Sequence, residues 1–334
     1  MTNFFHHNDQ SGSDARPVAV VGANCPLGRH LVEYLLAAGK PVFGLYRSGW
    51  TPPFDWTRNR AFHGERFDLN YARQLAQLLD ATNQIIWLSQ SRENTGSSKD
   101  INVEALHLVC SCTPPAGRKI VLLSSGGSIY GNPRSLPVKE THPCLPLSSY
   151  GFSKTRMEAV LSKNVKRMSG LSGVVLRSAN IYGRYWLEPG MRGCVGAFAR
   201  SLVANAPVTL IAGGRAVRDF VHVDDVNRAI WLALACEESL AVWNVGSGQG
   251  ARILDLLRAM SQILGRVPER FIYLDQRPSD VEEIVLDVER IEKACLWRPS
   301  MTLHEGLTSV LLPRGSFLPV TRPQEFDHVG AVVP

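Results

Sequence analysis

Short apolar runs alternate with stretches of helical period along most of the chain. Val18-Ala19-Val20-Val21, entered from Pro17, reads as a buried strand. Leu31, Val32, Leu35 and Leu36 then recur at helical spacing, which predicts a helix over 29–38 closed by Gly39. A second strand is expected over 41–46. A third ends near Phe67 and leads into a helix over 71–79. Ile85-Ile86-Trp87-Leu88-Ser89 and Lys119-Ile120-Val121-Leu122-Leu123 are two further strands. Between them lie a polar loop at 91–99 and a helix over 101–112, with Val103, Leu106, Leu108 and Val109 apolar. Residues 150–166 form another helix, and Met157, Val160 and Leu161 mark its apolar side. Val208 to Ile211 reads as a strand before Gly213-Gly214, and Val226 to Ala235 as a helix. Strands separated by helices imply an α/β chain with a mainly parallel sheet.

Composition narrows the function classes. The 334 residues suit one large domain or two intimate ones. Hydrophobic content of 45% and charged content of 20% describe a soluble globular protein. The net charge of +6 suits an anionic ligand or simply a mildly basic surface. No Lys/Arg run concentrates it, so no nucleic-acid partner is expected. No apolar run approaches the ~20 residues that span a bilayer, so no membrane partner is expected either. Residues 1–16 read as a disordered tail without the apolar core of a signal peptide. The seven cysteines lack any Cys-x-x-Cys, and Cys110 and Cys112 are the closest pair. That argues for reduced thiols in a cytoplasmic protein, with neither a disulfide frame nor a metal site.

Four stretches carry candidate chemistry. The first is the turn Gly22-Ala23-Asn24-Cys25-Pro26-Leu27-Gly28 between a strand and a helix. Glycines there let backbone amides approach a pyrophosphate at the helix N-terminus. Cys25 stands where the common Gly-x-x-Gly-x-x-Gly form has its middle glycine, and a plain strand-to-helix turn uses the same residues. The second is the end of strand two, where an acidic residue selects NAD over NADP. Tyr46-Arg47 stands there instead, and Arg47 suits either a 2′-phosphate or solvent, so both cofactors stay open. After strand three, Asp68 is either an acceptor for adenine or a helix N-cap. The third stretch is Ser124-Ser125-Gly126-Gly127-Ser128 at a strand's carboxyl end, where parallel sheets bind ligands. The alternative is a Ser/Gly turn. The fourth is Tyr150 and Lys154, four apart on one helix face. A fixed ammonium favours phenolate, and a drop of ~3 units from the usual pKa of about 10 poises the phenol near neutral pH.

Ser-Ser-Gly-Gly-Ser-Ile-Tyr-Gly at 124–131, then Glu140, Pro146 and Ser-Ser-Tyr-Gly-Phe-Ser-Lys at 148–154, resembles the extended short-chain dehydrogenases/reductases. The closest branch is the NAD-dependent epimerase/dehydratase family acting on nucleotide sugars. Leu-Arg-Ser-Ala-Asn-Ile-Tyr-Gly at 176–183, Arg-Asp-Phe-Val-His-Val-Asp-Asp-Val at 218–226 and Asn-Val-Gly-Ser-Gly at 244–248 continue the likeness. So do Arg-Pro-Ser-Asp-Val at 277–281 and Leu-Trp-Arg-Pro at 296–299, so that the resemblance covers roughly residues 17–312.

The resemblance implies a Rossmann-type doubly wound parallel sheet from 17–182 plus 219–245. It implies a smaller C-terminal α/β substrate domain from 183–218 plus 246–312, with 313–334 a tail. Tyr150 would be the base and Lys154 its partner. Ser128, in preference to Ser125, would bind the reacting hydroxyl, because the usual hydroxyl position is Gly126. The cofactor would be NAD, with NADP as the alternative. Gly22, Asn24, Cys25, Pro26, Leu27, Gly28, Tyr46, Arg47, Asp68, Leu69, Leu88, Ser89, Asn102, Ser124, Tyr150 and Lys154 would hold it. A nucleotide sugar would meet Ser125, Gly126, Ser128, Asn180, Thr209, Arg218, Arg277 and Asp280. The helices at 101–112 and 150–166 would pair across a homodimer. Asp224-Asp225 reads as an N-cap, and His222 as a packed residue. Family dehydratases carry Thr-Asp-Glu at 126–128, so dehydration is not expected. A UDP-sugar 4-epimerase, an NADP-dependent keto-sugar reductase and a non-catalytic NAD(P) sensor remain. The intact Tyr150/Lys154 pair argues against the sensor.

Overall fold

The computed structural model describes residues 16–80, 82–91, 100–112 and 117–312. The expected tails, except Arg16, and the loop at 92–99 lie outside them. The main sheet has seven parallel strands. They are β1 (Val18–Val21), β2 (Val42–Arg47), β3 (Phe62–Phe67), β4 (Gln84–Trp87), β5 (Arg118–Ser125), β6 (Leu171–Ser178) and, after an excursion, β10 (Leu240–Val245). Their spatial order is β10-β6-β5-β4-β1-β2-β3. The chain runs outward from β1 to β3, then returns to β4 on the other side of β1. That reversal opens a crevice beyond the carboxyl ends of β1 and β4.

Alternation along β1 explains why all four of its residues are apolar. Val18 and Val20 join Leu31, Val32 and Leu35 of helix Pro26–Ala37 and Val226, Ala229 and Ile230 of helix Val223–Leu234. Ala19 and Val21 face the opposite core, with Ala105, Leu106 and Val109 of helix Ile101–Ser111 and Met157 and Leu161 of helix Ser149–Arg167. A sheet covered on both faces needs apolar residues on both.

The excursion builds two small sheets. β7 (Asn180–Tyr182), β11 (Gly250–Arg252) and β13 (Glu283–Ile284) all pair with β9 (Val217–His222), while β8 (Val208–Ile211) pairs with β12 (Phe271–Leu274). Their core gathers Tyr182, Phe198, Leu202, Leu210, Phe220, Leu256, Met260 and Leu307. Residues 219–222, expected in the large sheet, lie in a small one. β7 leaves the large sheet after Ser178 and takes β9 with it. The return to the large sheet is made by helix Val223–Leu234 and β10.

Two helix starts differ from expectation. Helix Pro26–Ala37 begins three residues early, because Pro26 sits first in the helix, where its missing N–H costs nothing. Helix Val223–Leu234 is capped by His222, whose Nδ1 accepts from the Asp224 amide at 3.3 Å. Asp225 is buried and accepts from Ser300 N, Ser300 Oγ and Met301 N, which fastens the C-terminal stretch.

Two polar features hold elements together. Buried Arg118 donates to the carbonyls of Leu79, Thr82, Val109 and Cys112, at the ends of helices Ala72–Leu78 and Ile101–Ser111. Helix Pro26–Ala37 is pinned to the start of the excursion. Arg29 pairs with Glu188 at 2.6 Å and lies 3.6 Å over the Tyr185 ring, and Glu33 accepts from Arg184 and Tyr185.

Candidate active site

Three strand ends converge on the glycine turn. Gly22 N and Ala23 N donate to Leu45 O, and Leu88 N and Ser89 N both donate to Val21 O at 2.9 Å. Gly22 has φ +99°, and a Cβ on it would stand 2.9 Å from Ser89 N, so only glycine fits. A Cβ on Gly28 would strike the Gly22 carbonyl. Cys25 is the helix N-cap, with Sγ accepting from Gly28 N at 3.3 Å, and Pro26 and buried Leu27 follow it. Asn24 Oδ1 accepts from Arg47 N at 3.4 Å. Tyr46 is buried beside Trp50, and Arg47 is exposed at the end of β2.

Gln90, which sequence reasoning missed, follows β4 at the same edge. Its buried Oε1 and Nε2 have no hydrogen-bond partner among the described residues. A glycine cradle, a helix N-terminus and orphaned amide atoms at one crevice fit a dinucleotide. A buried amide without partners in a strand-end position is the signal, and it exists only in the folded chain.

Two expected cofactor residues are engaged elsewhere. Asn102 holds Ser91 through both its amide atoms, at 2.7 and 3.0 Å. Asp68 caps the short helix Leu69–Tyr71 by accepting from Asn70 N at 2.9 Å.

The Tyr150 helix is set against the 125–128 turn by Gly151. A Cβ there would strike the Ser128 carbonyl and stand 2.8 Å from Pro146 Cβ. Ser148 caps the helix by accepting from Gly151 N at 3.1 Å. Lys154 is only 2% exposed, and its Nζ donates to Leu123 O at 2.7 Å, 5.8 Å from the Tyr150 ring centroid. Tyr150 is 38% exposed as a whole residue, while its phenol end is turned inward beside Ser125. Ser125 Oγ also donates to Ser128 Oγ at 3.3 Å.

The electrostatics differ from the sequence reading. Burial pushes the Tyr150 phenol up to about 12, opposed by the Ser125 hydrogen bond. Burial pushes Lys154 down to about 8, against the pull of Cys25 and Glu158. Burial also raises the Cys25 thiol. Desolvation is the largest cause for both groups.

Ser124 Oγ donates to Glu158 and is turned into the fold. Gly126 lies under Leu286, whose Cδ1 would be 2.6 Å from an added Cβ, so the turn has no side chain there. A Cβ on Gly127 would lie 3.0 Å from Asn180 Oδ1. Asn180 also lines a cavity of about 830 Å³. Thr209, Arg218 and Asp280 line it too. The Arg218 guanidinium donates to the carbonyls of Val217, Val281 and Glu282. Arg277 is exposed and does not line the cavity; its amide donates to Asp280 Oδ2 at 3.0 Å. Arg192, Arg215 and Gln276 line the cavity and were not foreseen, since no periodicity or motif marks them.

The comparisons with known proteins bear on this geometry. A Methanocaldococcus jannaschii protein provisionally named UDP-glucose 4-epimerase is 35% identical over 193 residues, 58% of this chain and 62% of that protein. The chain thus spans about three-fifths of that relative's length. The UDP-glucose 4-epimerase of Mycolicibacterium smegmatis is 28% identical over 303 residues, 87% of this chain and 96% of the relative. The crystal structure of UDP-glucose 4-epimerase from Thermotoga maritima with UDP-glucose superposes with a TM-score of 0.80 at 27% identity, covering 89% of this chain and 97% of that one. The glycine turn, the serine turn and the Tyr150 helix all fall within residues 18–246, which match the model of the NAD dependent epimerase/dehydratase family, and the chain belongs to that family.

Proposed function

We propose that the protein is a UDP-sugar 4-epimerase. The observation that carries the reading is the meeting of two features. The Ser125–Tyr150–Lys154 group stands at the carboxyl end of β5, and Asn180, in the wall of the cavity, lies beside the same serine turn. In this reading Tyr150 takes the proton from the sugar 4-hydroxyl, and Ser125 holds that hydroxyl beside the phenol. NAD, when bound, accepts and returns the hydride of the same carbon. Lys154 steadies the nicotinamide ribose and the phenolate. Gly22, Cys25 and Gly28 would shape the pyrophosphate seat, and the Gln90 amide would be available to the dinucleotide. The 4-keto sugar must turn over before the hydride comes back. Asn180, Thr209, Arg218 and Asp280 would hold the nucleotide end.

Purified protein supplied with UDP-glucose, UDP-galactose and other 4-epimeric pairs is expected to interconvert one pair without net change in NADH. Tyr150→Phe should cut that turnover by ~10² or more while NAD binding stays near normal. No epimer from any UDP-sugar, or near-normal turnover in that variant, sinks the reading. Exposed Arg47 at the end of β2 supports a second reading, an NADP-dependent keto-sugar reductase. Stoichiometric NADPH consumption would favour it, and Arg47→Asp should then shift preference toward NAD. The same proposal includes a homodimer through helices Ile101–Ser111 and Ser149–Arg167, in the cytoplasm. Among the described residues no helix is long and apolar enough to cross a membrane. Sedimentation of purified protein tests the dimer.

A further inference from the structure

Helix Ser149–Arg167 carries a third group on the face that bears Tyr150 and Lys154. Glu158 is one turn beyond Lys154 and two beyond Tyr150, so the three stand in a row. Glu158 is 8% exposed. Arg177 of β6 grips it with a fork, Nη2 donating to Oε2 at 2.8 Å and Nε to Oε2 at 3.1 Å. Ser124 of β5 donates to its Oε1. Arg177 is fixed in turn, donating from Nη1 to Tyr130 Oη and Glu140 O, each at 3.0 Å. Ser124 adjoins both the residue that receives Lys154, Leu123, and the residue that meets Tyr150, Ser125.

We propose that Glu158 is a positioning residue of the reaction, which clamps the Tyr150–Lys154 face of its helix to the β5 end and supplies the negative charge that keeps the Lys154 ammonium in place. This rests on the dehydrogenase-type roles given above to Tyr150 and Lys154. A purely structural ion pair would sit anywhere along the helix. This one is joined through Ser124 to the β5 end, where Leu123 receives Lys154. Lys154 is faced by Tyr150 and Glu158 from its own helix, by Cys25 from the glycine turn and by the Leu123 carbonyl from β5, with Arg177 behind Glu158. Glu158 is the carboxylate among these groups. Burial drives Lys154 down to about 8, and Cys25 and Glu158 oppose that. Replacing Glu158 by a neutral group leaves the Arg177 cation nearby, so the ammonium should become harder to hold.

The test uses NADH affinity, read by fluorescence from pH 6 to 10, for wild type, Glu158→Gln and the double variant Glu158→Gln/Arg177→Met. The double variant removes both charges and leaves no orphaned cation, so it reports even where the single variant does not fold. The alkaline midpoint of NADH binding, set by Lys154, is expected to move down by about one pH unit in Glu158→Gln. It should move down by a smaller step in the double variant. The alkaline limb of turnover should move with it, and KM for the UDP-sugar should stay within about twofold, because no substrate contact is lost. A midpoint unmoved in both variants, with only the melting temperature lowered, overturns the proposal. An active epimerase with an unmoved midpoint sinks this proposal alone. A moved midpoint in a protein that epimerises no UDP-sugar sinks the functional reading alone. A wild type that binds no NADH overturns both.

Discussion

Alanine in place of a helical glycine ordinarily stabilises by roughly 0.5–1 kcal/mol. At Gly151 the sign reverses, because the added Cβ would strike the Ser128 carbonyl and crowd Pro146. Gly151→Ala should lower stability by about 1–3 kcal/mol in urea unfolding and cut turnover, since it pushes Tyr150 off the serine turn. Lys154 gives a second expectation. Its folded pKa of about 8 lies below the ordinary lysine value of 10.5, so between those pH values the folded chain binds fewer protons than the unfolded chain. Stability therefore rises with pH across that window. Lys154→Met should remove that rise, so wild-type stability should gain on the variant's from pH 8 to pH 10 in urea melts. The Tyr150/Lys154 spacing was legible because a helix repeats every 3.6 residues. The choice between Ser125 and Ser128 was not, because it depends on how the turn rotates its hydroxyls, and the two hydroxyls stand 3.3 Å apart. Asn102 and Arg277 read as ligands from motif position alone. Asn102 spends its amide on Ser91, and Arg277 stands outside the cavity.

Elements were easier to read than their ends and partners. Apolar runs marked β1, β2, β4 and β5 because buried parallel strands need apolar residues on both faces. No local pattern says that β9 pairs with β7, β11 and β13, since those partners are dozens of residues away. His222 took the cap expected of the aspartates because the helix begins one turn early. Arg118 was not singled out at all. It serves as a shared C-terminal cap, with four carbonyls on one guanidinium and no carboxylate among them. Helix ends leave carbonyls without donors, and burial makes each such loss costly. Arg118→Met should destabilise by about 3 kcal/mol and speed amide exchange at the ends of helices Ala72–Leu78 and Ile101–Ser111 more than in β1. Uniform exchange across the sheet would contradict this.

At the scale of the molecule, helix Pro26–Ala37 touches both halves of the chemistry. Its N-terminus opens on the crevice, and its flank grips the start of the excursion through Arg29 and Glu33. Glu188 is 42% exposed at its side chain, so the Arg29–Glu188 pair should show a coupling of only about 0.5–1 kcal/mol in a double-mutant cycle on stability. If the proposed substrate class holds, its larger effect is expected on KM for the sugar nucleotide, because residues 184–188 lead directly into the cavity wall at Met191 and Arg192. The pinned flank also bears on chimeras. A relative's sugar-binding half spliced onto this chain at Tyr182 would meet Arg29 and Glu33 on the recipient side, and its own charges at 184 and 188 would have to match them. Grafts that carry the donor's version of positions 29 and 33 should therefore fold and work more often than grafts cut at the boundary between the sheets.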